Sequence, residues 1–291
     1  MGRTSRILVD GLSFPEGPRW YQGALWFSDI HAHRVYRLET DGTRTTVAHI
    51  DDRTSGIGFL PNGDLLVVSM LDRRLVAVDA AGKARVHADM AHLSGNFIND
   101  MVVDAQGCAY VGSRNGGKPD TSSDSLIFVD TDGSVRTEVP DMATPNGTVI
   151  TPDGQHLIIA ETAYGRLRRF DIAADGSLSN RETIFEAPGK HLDGICRDAE
   201  GGIWAGGGGH GLLRISPAGV LEEVIEFPGR MVLATALGGP DGKTLFLATT
   251  SMKLIENLAY IGADRTRDAD VNSDGRIEVM EVEVPGQDHR P

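Results

Sequence analysis

The stretch GFLPNGDLLVVSMLDRRLVAVDAAG, residues 58–82, contains one complete structural unit of this 291-residue chain. The Asn-Gly pair at 62–63 is a signal for a tight β-hairpin turn. The aliphatic run 65–71 follows this turn, and the short apolar segment 74–78 precedes a second glycine turn at Gly82. Short segments that are rich in Val and Leu and bounded by turn residues predict β-strands rather than helices.

The same order of turn, strand, gap, strand and turn recurs six times, with first turns 40 to 47 residues apart at Gly23, Gly63, Gly107, Gly154, Gly201 and Gly242. Six units of about 45 residues, each with four short strands, predict an all-β fold, a six-bladed β-propeller. The segment RILV, residues 6–9, precedes the first full unit. We expect this N-terminal strand to join the last blade and close the ring, so that residues 1–291 form a single domain.

Composition narrows the classes of partner. The net charge of −13 argues against a nucleic-acid partner, which requires an excess of Lys and Arg. The longest apolar run, 65–71, is too short to cross a bilayer, and the first 14 residues lack the apolar core of a signal peptide. We therefore expect a cytoplasmic protein without a membrane partner. Cys108 and Cys196 lie far apart in sequence and are predicted to be buried, reduced thiols.

Polar residues recur at one position of the repeat. Ser55, Asn99, Asn146 and Asp193 each stand eight residues before a turn glycine, and Glu16 stands seven before Gly23. Since the innermost strand of each propeller blade lines a central channel, equal offsets predict similar heights around one axis. Any one of these residues fits an ordinary turn, but the shared offset favours a common ligand. Two carboxylates and two amide oxygens predict a site for a hard divalent cation such as Ca²⁺, Mg²⁺ or Mn²⁺.

The motifs around these residues resemble those of the gluconolactonase/regucalcin family, also called the senescence marker protein-30 family. The resemblance runs through essentially the whole chain. It is carried, in order, by FPEGPRW (14–20), NDMVVDAQG (99–107), PNG with TPDG (145–147 and 151–154) and LDGICRDAEGGIWAG (192–206).

This resemblance implies a six-bladed propeller that binds one divalent cation through Glu16, Asn146 and Asp193. Asn99 matches a family position that contacts substrate or completes the metal shell. The aspartate matching Asp193 is the family's proposed catalytic base. The implied activity is hydrolysis of a small-molecule sugar lactone, with Ca²⁺ expected first and Zn²⁺, Mn²⁺, Fe²⁺ or Mg²⁺ as alternatives.

One position departs from the family pattern. Some sugar lactonases of the family carry a substrate-binding arginine two positions before the matching Asn-Asp pair, where this chain has Phe97. A less polar or differently shaped substrate is therefore an alternative to a sugar lactone. His191, two residues before Asp193, is a further candidate for substrate contact. Asp100 follows Asn99 in a strand, so strict alternation predicts that its side chain points to the opposite face.

The predicted mechanism combines carbonyl polarisation by the cation with activation of water. Either Asp193 or a metal-bound water serves as the base. Two alternatives are an esterase or phosphotriesterase that uses the same metal site, and a propeller that binds partners without catalysis. Buried acidic and amide residues at one offset favour an enzyme, because a scaffold does not need them.

A second cation-binding pattern stands near the end of the chain. DVNSDGRIEVME, residues 270–281, matches the twelve-residue EF-hand loop from Asp270 to Glu281. An EF-hand loop works between two helices. Here the segment after Gly275 alternates apolar and polar residues and is rich in Val and Ile, which predicts a strand. We therefore expect the cation in the channel rather than at Asp270–Glu281.

Overall fold

The computed structural model describes residues 3–115, 123–252 and 274–286. Within these ranges, 24 strands form six four-stranded antiparallel sheets. This arrangement confirms the predicted six-bladed β-propeller. Two short 3-10 helices, η1 (Ile30–Ala32) and η2 (Thr162–Tyr164), follow the second strands of the first and fourth blades. No helix among the described residues is long and apolar enough to cross a membrane.

Each blade is a meander of strands that follow one another in sequence, apart from the sixth blade, which contains the first strand of the chain. Blade one contains β2 (Pro15–Tyr21), β3 (Ala24–Asp29), β4 (Arg34–Leu38) and β5 (Arg44–His49). Blade two contains β6 (Thr54–Phe59), β7 (Leu65–Ser69), β8 (Arg74–Val78) and β9 (Ala84–Asp89). Blade three contains β10 (Phe97–Val103), β11 (Ala109–Arg114), β12 (Asp124–Val129) and β13 (Val135–Met142).

The remaining three blades repeat this order. Blade four contains β14 (Pro145–Ile150), β15 (His156–Glu161), β16 (Arg166–Ile172) and β17 (Leu178–Glu186). Blade five contains β18 (Ile195–Arg197), β19 (Ile203–Gly206), β20 (Leu212–Ile215) and β21 (Leu221–Ile225). Blade six contains β22 (Arg230–Gly238), β23 (Thr244–Ser251), β24 (Gly275–Glu281) and β1 (Arg6–Leu12).

The first strands of neighbouring blades contact one another in a closed ring, in the order β2, β6, β10, β14, β18, β22 and back to β2. These six strands surround the central channel. The ring is closed by β1, which pairs antiparallel with β24 so that Arg6 faces Val279. The predicted closure by the N-terminal strand is thus confirmed, and it covers an edge that would otherwise be open to pairing with another chain.

Aromatic contacts join the blades on either side of blade one. Trp20 stacks on Phe246 of blade six, with ring centroids 5.4 Å apart, and Tyr21 stacks on Phe59 of blade two at 3.8 Å. The turn glycines explain the regular spacing of the hairpins. Gly107, for example, has φ 98°, a conformation that glycine adopts without steric cost.

The two cysteines are free; Cys196 is buried and Cys108 is half-buried. Burial raises the pKa of the Cys108 thiol to about 11 and that of Cys196 to about 12, so both are protonated at neutral pH.

The segment that matches the EF-hand loop continues into a strand, as predicted: Glu281 ends β24 and is exposed. Residues 270–273 of the pattern lie outside the described residues.

Candidate active site

The innermost strands are irregular where the predicted site residues stand. The pairing of each of four inner strands with the next strand of its blade contains a register shift. The shift lies between Glu16 and Arg19 in β2, between Thr54 and Ile57 in β6, between Ile98 and Met101 in β10, and between Pro145 and Thr148 in β14. An extra residue in one strand disrupts the alternation of side chains and redirects them. These irregularities explain how polar residues at the start of buried strands reach the channel.

Buried carboxylates hold the chain just before two of these strands. Asp29 accepts the backbone N–H of Phe14 at 2.6 Å, immediately before β2. Glu161 accepts the N–H of Ala143 at 2.9 Å, shortly before β14. Hydrogen bonds to a buried carboxylate are charge-assisted and strong. The entry points of the strands that carry Glu16 and Asn146 are therefore fixed.

A chain of hydrogen bonds connects four blades around the axis. Ser55 Oγ donates to Asn99 Oδ1 at 2.9 Å, and Asn99 Nδ2 donates to Asn146 Oδ1 at 3.3 Å. Asn146 Nδ2 donates in turn to Thr162 Oγ1 at 3.1 Å, and Thr162 Oγ1 donates to the carbonyl oxygen of Leu192 at 2.6 Å. The structure thus brings together the predicted residues Asn99 and Asn146.

Three carboxyl groups influence one another at this level of the channel. Burial raises the pKa of Glu16 well above its usual range, and the charges of Asp193 and Asp100 raise it further. Burial and the charge of Asp100 likewise raise the pKa of Asp193, against hydrogen bonds from Asn146 and the Gly194 N–H. Burial raises the pKa of Asp100 as well, and the Arg19 guanidinium opposes that rise. Glu16 and Asp193, from blades one and five, therefore face a common acidic centre.

Asp100 also takes part in the acidic centre. It lies where a register shift interrupts the strict alternation of β10, and its charge acts on Glu16 and Asp193. At the same place in other blades the residue after the polar one is glycine: Gly17, Gly56, Gly147 and Gly194. A Cβ on Gly147 would lie 2.4 Å from the backbone nitrogen of Ile195, too close for any side chain. Blade three has Asp100 at this place instead of a glycine. The buried Oδ1 of Asp100 has no hydrogen-bond partner among the described residues.

This donor set fits a hard divalent cation. Glu16, Asn146 and Asp193 supply oxygens, which Ca²⁺ and related ions prefer. If Glu16, Asp100 and Asp193 are all ionised, the Arg19 guanidinium neutralises one charge and leaves two, the charge that a divalent ion balances. The described residues contain no cluster of three or more His, Cys, Asp or Glu side chains spaced for a metal. The predicted set has two carboxylates, and its third donor is an amide.

Comparison with known proteins assigns the chain to a family. The model of the SMP-30/gluconolactonase/LRE-like region matches residues 14–251. The chain belongs to this family. Within it, the chain is 26% identical to the pentonolactonase XacC of Haloferax volcanii over 251 residues, 84% of each chain. It is also 26% identical to the 6-deoxy-6-sulfogluconolactonase of Pseudomonas putida over 250 residues, 81% of this chain and 82% of that protein.

A solved structure supports the fold of this family member. The crystal structure of regucalcin from Agrobacterium tumefaciens, described as a calcium-binding protein, superposes with a TM-score of 0.79 at 24% sequence identity. The superposition covers 98% of this chain and 96% of that one.

Two predicted residues do not take part in the interactions among the carboxylates. Phe97 begins β10 and is half-buried, and the Arg114 guanidinium carbon lies 5.9 Å from its ring centroid. His191 is exposed, and its ring lies nearly parallel to that of His210 at a centroid distance of 6.1 Å. Contact of Phe97 and His191 with a substrate stays a prediction.

A cavity of about 810 Å³ lies at the other end of the channel. The later residues of the inner strands line it, among them Trp20, Ile150 and Leu237, rather than Glu16 or Asn146. Arg19 also lines this cavity, and its charge acts on Asp100 and Glu16. Arg19 thus lies between the acidic centre and the cavity. The candidate catalytic and metal-binding residues are at the acidic centre, not in the cavity.

Three residues of this family member were not predicted as part of the site: Arg19, Asp100 and Thr162. Arg19 and Asp100 adjoin predicted residues in sequence, but their direction depends on irregular strands. Thr162 begins η2, 16 residues after Asn146. No signal in the sequence connects it to that amide, because the contact depends on how β15 returns toward the channel.

Proposed function

We propose that this protein opens a lactone ring by hydrolysis, with one divalent cation held by Glu16, Asn146 and Asp193. The observation that carries this proposal is the acidic centre, in which burial and the charges of Asp193 and Asp100 raise the pKa of Glu16. The names of the relatives in Haloferax volcanii and Pseudomonas putida add support, since both are lactonases. A non-catalytic propeller would have no use for three neighbouring carboxyls with only one arginine to balance their charge.

The bound cation would polarise the lactone carbonyl and stabilise negative charge on its oxygen. Asp193, half-buried beside Asn146, is positioned to accept a proton from the attacking water. The water oxygen forms a bond to the carbonyl carbon, and the bond from that carbon to the ring oxygen breaks. The ring oxygen then takes up a proton, which gives the open-chain hydroxy acid.

Asn99 would orient the substrate inside the channel, and Phe97 and His191 would do so at its entrance. The Asn99 amide lies between Ser55 and Asn146, so its orientation is fixed before substrate arrives. Phe97 adds an apolar wall two residues away. His191 is exposed and available to the part of the substrate that projects out of the channel.

The oxygen-rich donor set favours Ca²⁺ as the resident ion, with Mg²⁺, Mn²⁺, Zn²⁺ and Fe²⁺ as alternatives. The calcium-binding regucalcin of similar fold agrees with that choice. The cytoplasmic location and the single domain over residues 1–291 stay predictions.

The test is a substrate panel on purified protein that has been treated with a chelator. Sugar lactones, alkyl-substituted lactones, aryl esters and a phosphotriester are each assayed without metal and after restoring each of the five cations. We expect lactone hydrolysis that depends on an added cation. Faster turnover of the esters or the phosphotriester would favour the alternative hydrolases, and no turnover with any cation would refute the proposed function.

A further inference from the structure

We infer that Thr162 is a positioning residue that fixes the amide of Asn146 with its oxygen, rather than its nitrogen, facing the cation. This inference rests on the proposed function, since it concerns a ligand of the proposed metal site. An amide can bind a cation only through its carbonyl oxygen, because its NH₂ group is a donor without a free lone pair. The orientation of the Asn146 amide therefore decides whether two or three side chains direct an oxygen at the cation.

The carbonyl oxygen of Leu192 determines which groups donate and which accept in the hydrogen bonds of Thr162 and Asn146. A backbone carbonyl can only accept, so the 2.6 Å contact between Thr162 Oγ1 and the Leu192 oxygen uses the one hydrogen of the threonine hydroxyl. At its other contact, 3.1 Å from Asn146, the hydroxyl oxygen must then accept. Only the NH₂ group of Asn146 can donate there, so Nδ2 points toward Thr162.

The oxygen of the same amide has a partner as well. With Nδ2 directed at Thr162, Oδ1 lies on the other side of the amide, where it accepts the 3.3 Å hydrogen bond from Asn99 Nδ2. One accepting carbonyl at Leu192 thus specifies the orientation of both asparagine amides.

Thr162 itself has little freedom to adapt. Its backbone N–H donates to the Thr144 carbonyl at 3.0 Å, and its own carbonyl accepts the N–H of Gly165 at 3.2 Å. The preceding residue, Glu161, is fully buried. The hydroxyl is therefore presented at a fixed place between the Asn146 amide and the Leu192 carbonyl.

The experiment measures Mn²⁺ affinity by isothermal titration of the chelator-treated full chain, in the wild type and three variants. Thr162→Val removes the hydroxyl at nearly constant volume, and Thr162→Ser keeps it. Thr235→Val is the matched control, because Thr235 Oγ1 also donates to a backbone carbonyl, that of Trp204 at 3.1 Å, and is buried in blade six. Melting temperatures of the metal-free proteins are measured in parallel.

We expect Thr162→Val to weaken Mn²⁺ binding by about tenfold to a hundredfold, as is typical when a partner of a metal ligand is lost. Thr162→Ser should stay within about threefold of the wild type, and Thr235→Val should lower the melting temperature without changing the affinity. In NMR spectra of the metal-free protein, the Asn146 side-chain amide hydrogens should exchange faster with solvent in Thr162→Val alone.

Equal Mn²⁺ affinity in Thr162→Val and the wild type would overturn the inference and leave the proposed function intact. Equal losses in Thr162→Val and Thr162→Ser would overturn it as well, since the hydroxyl would then not be the cause. If the wild type itself bound no Mn²⁺ or Ca²⁺, the proposed metal site would fail, and the inference with it.

Discussion

The carboxylate of Glu161 receives the backbone N–H of Ala143 at 2.9 Å and the guanidinium of Arg166 at 2.5 Å. Arg168 donates to the same carboxylate at 2.8 Å, and Arg181 lies 3.4 Å from it. This buried group therefore connects the strand that ends beside Thr162 to the segment that leads into β14.

Replacing Glu161 by Gln should destabilise the protein. The arginines would lose their shared anion and the Ala143 N–H its charged acceptor, a loss of about 2 kcal/mol in the free energy of unfolding. Denaturant unfolding measures it. Glu182→Gln is the control, because Glu182 pairs with Arg169 on the surface, and such pairs contribute less than about 1 kcal/mol. Equal losses in the two variants would contradict the assigned importance of Glu161.

The contribution of Glu161 should depend on pH. Burial acts to raise its pKa, but hydrogen bonds from Arg166, Arg168 and the Ala143 N–H outweigh burial and hold the pKa below its usual value. A carboxyl whose pKa is lower in the folded state stabilises the fold above its unfolded pKa, about 4.3, and loses this effect as the pH falls through its folded pKa. The stability difference between wild type and Glu161→Gln should therefore be constant above about pH 5 and shrink below about pH 4. A difference that grew in acid would have the wrong sign.

Asp193→Asn should separate catalysis from stability. Loss of the base should lower lactone turnover at least about a hundredfold. Because burial and Asp100 raise the pKa of Asp193, its ionised form is unfavourable in the metal-free fold, and the variant should melt at a higher temperature than the wild type in chelator.

A control for Asp193→Asn comes from the same blade. Asp198 is fully buried, and its carboxylate pairs with Arg214 at 2.7 Å, so Asp198→Asn should lower the melting temperature. Turnover close to that of the wild type in Asp193→Asn would exclude Asp193 as the base.

Cation binding should depend on Glu16 and not on Glu281. Glu16 is 6% exposed beside the acidic centre, whereas Glu281 is exposed at the end of β24. In calorimetric titration with Ca²⁺, we expect one site per chain. Glu16→Gln should weaken Ca²⁺ binding by more than about a hundredfold, a larger loss than is typical when a residue that only supports a metal ligand is removed. Glu281→Gln should leave it unchanged, and a loss on this change would restore the EF-hand interpretation.

Phe97 should control the preference between polar and apolar lactones. The nearby Arg114 is already engaged by Asp124, at 3.0 Å, and by Thr144 Oγ1, at 2.8 Å. Phe97→Arg would therefore add free donors at the entrance. We expect the ratio of kcat/KM for a sugar lactone to that for an alkyl lactone to rise about tenfold. Phe97→Leu should not raise this ratio, and equal ratios in all three proteins would exclude position 97 from substrate selection.

The architecture was predictable because each blade repeats a local signal. A hairpin that needs positive φ at its turn selects glycine, as at Gly63 with φ 88°, and six such turns, spaced 40 to 47 residues apart, leave few alternatives to a propeller. The same period located the residues of the channel by their offset. The ring closure by β1 followed from one apolar segment left over before the first unit.

The direction of individual side chains was not predictable. Strict alternation could not be relied on at Asp100, because the register of β10 shifts between Ile98 and Met101. Arg19 enters the site through contacts between blades, and Thr162 does so where the chain returns to the channel after β15; no local sequence pattern records either contact. The roles assigned to Glu16, Asn146, Asp193 and Asn99 stay predictions until the variants are measured.

The pairing of β1 with β24 has a consequence for how the protein is made. During synthesis on the ribosome β1 emerges before the other described strands, and its partner β24 emerges after all of them. Contacts so distant in sequence form late in folding. Since the channel is enclosed only when the ring is complete, a chain that ends before β24 should lack the assembled acidic centre.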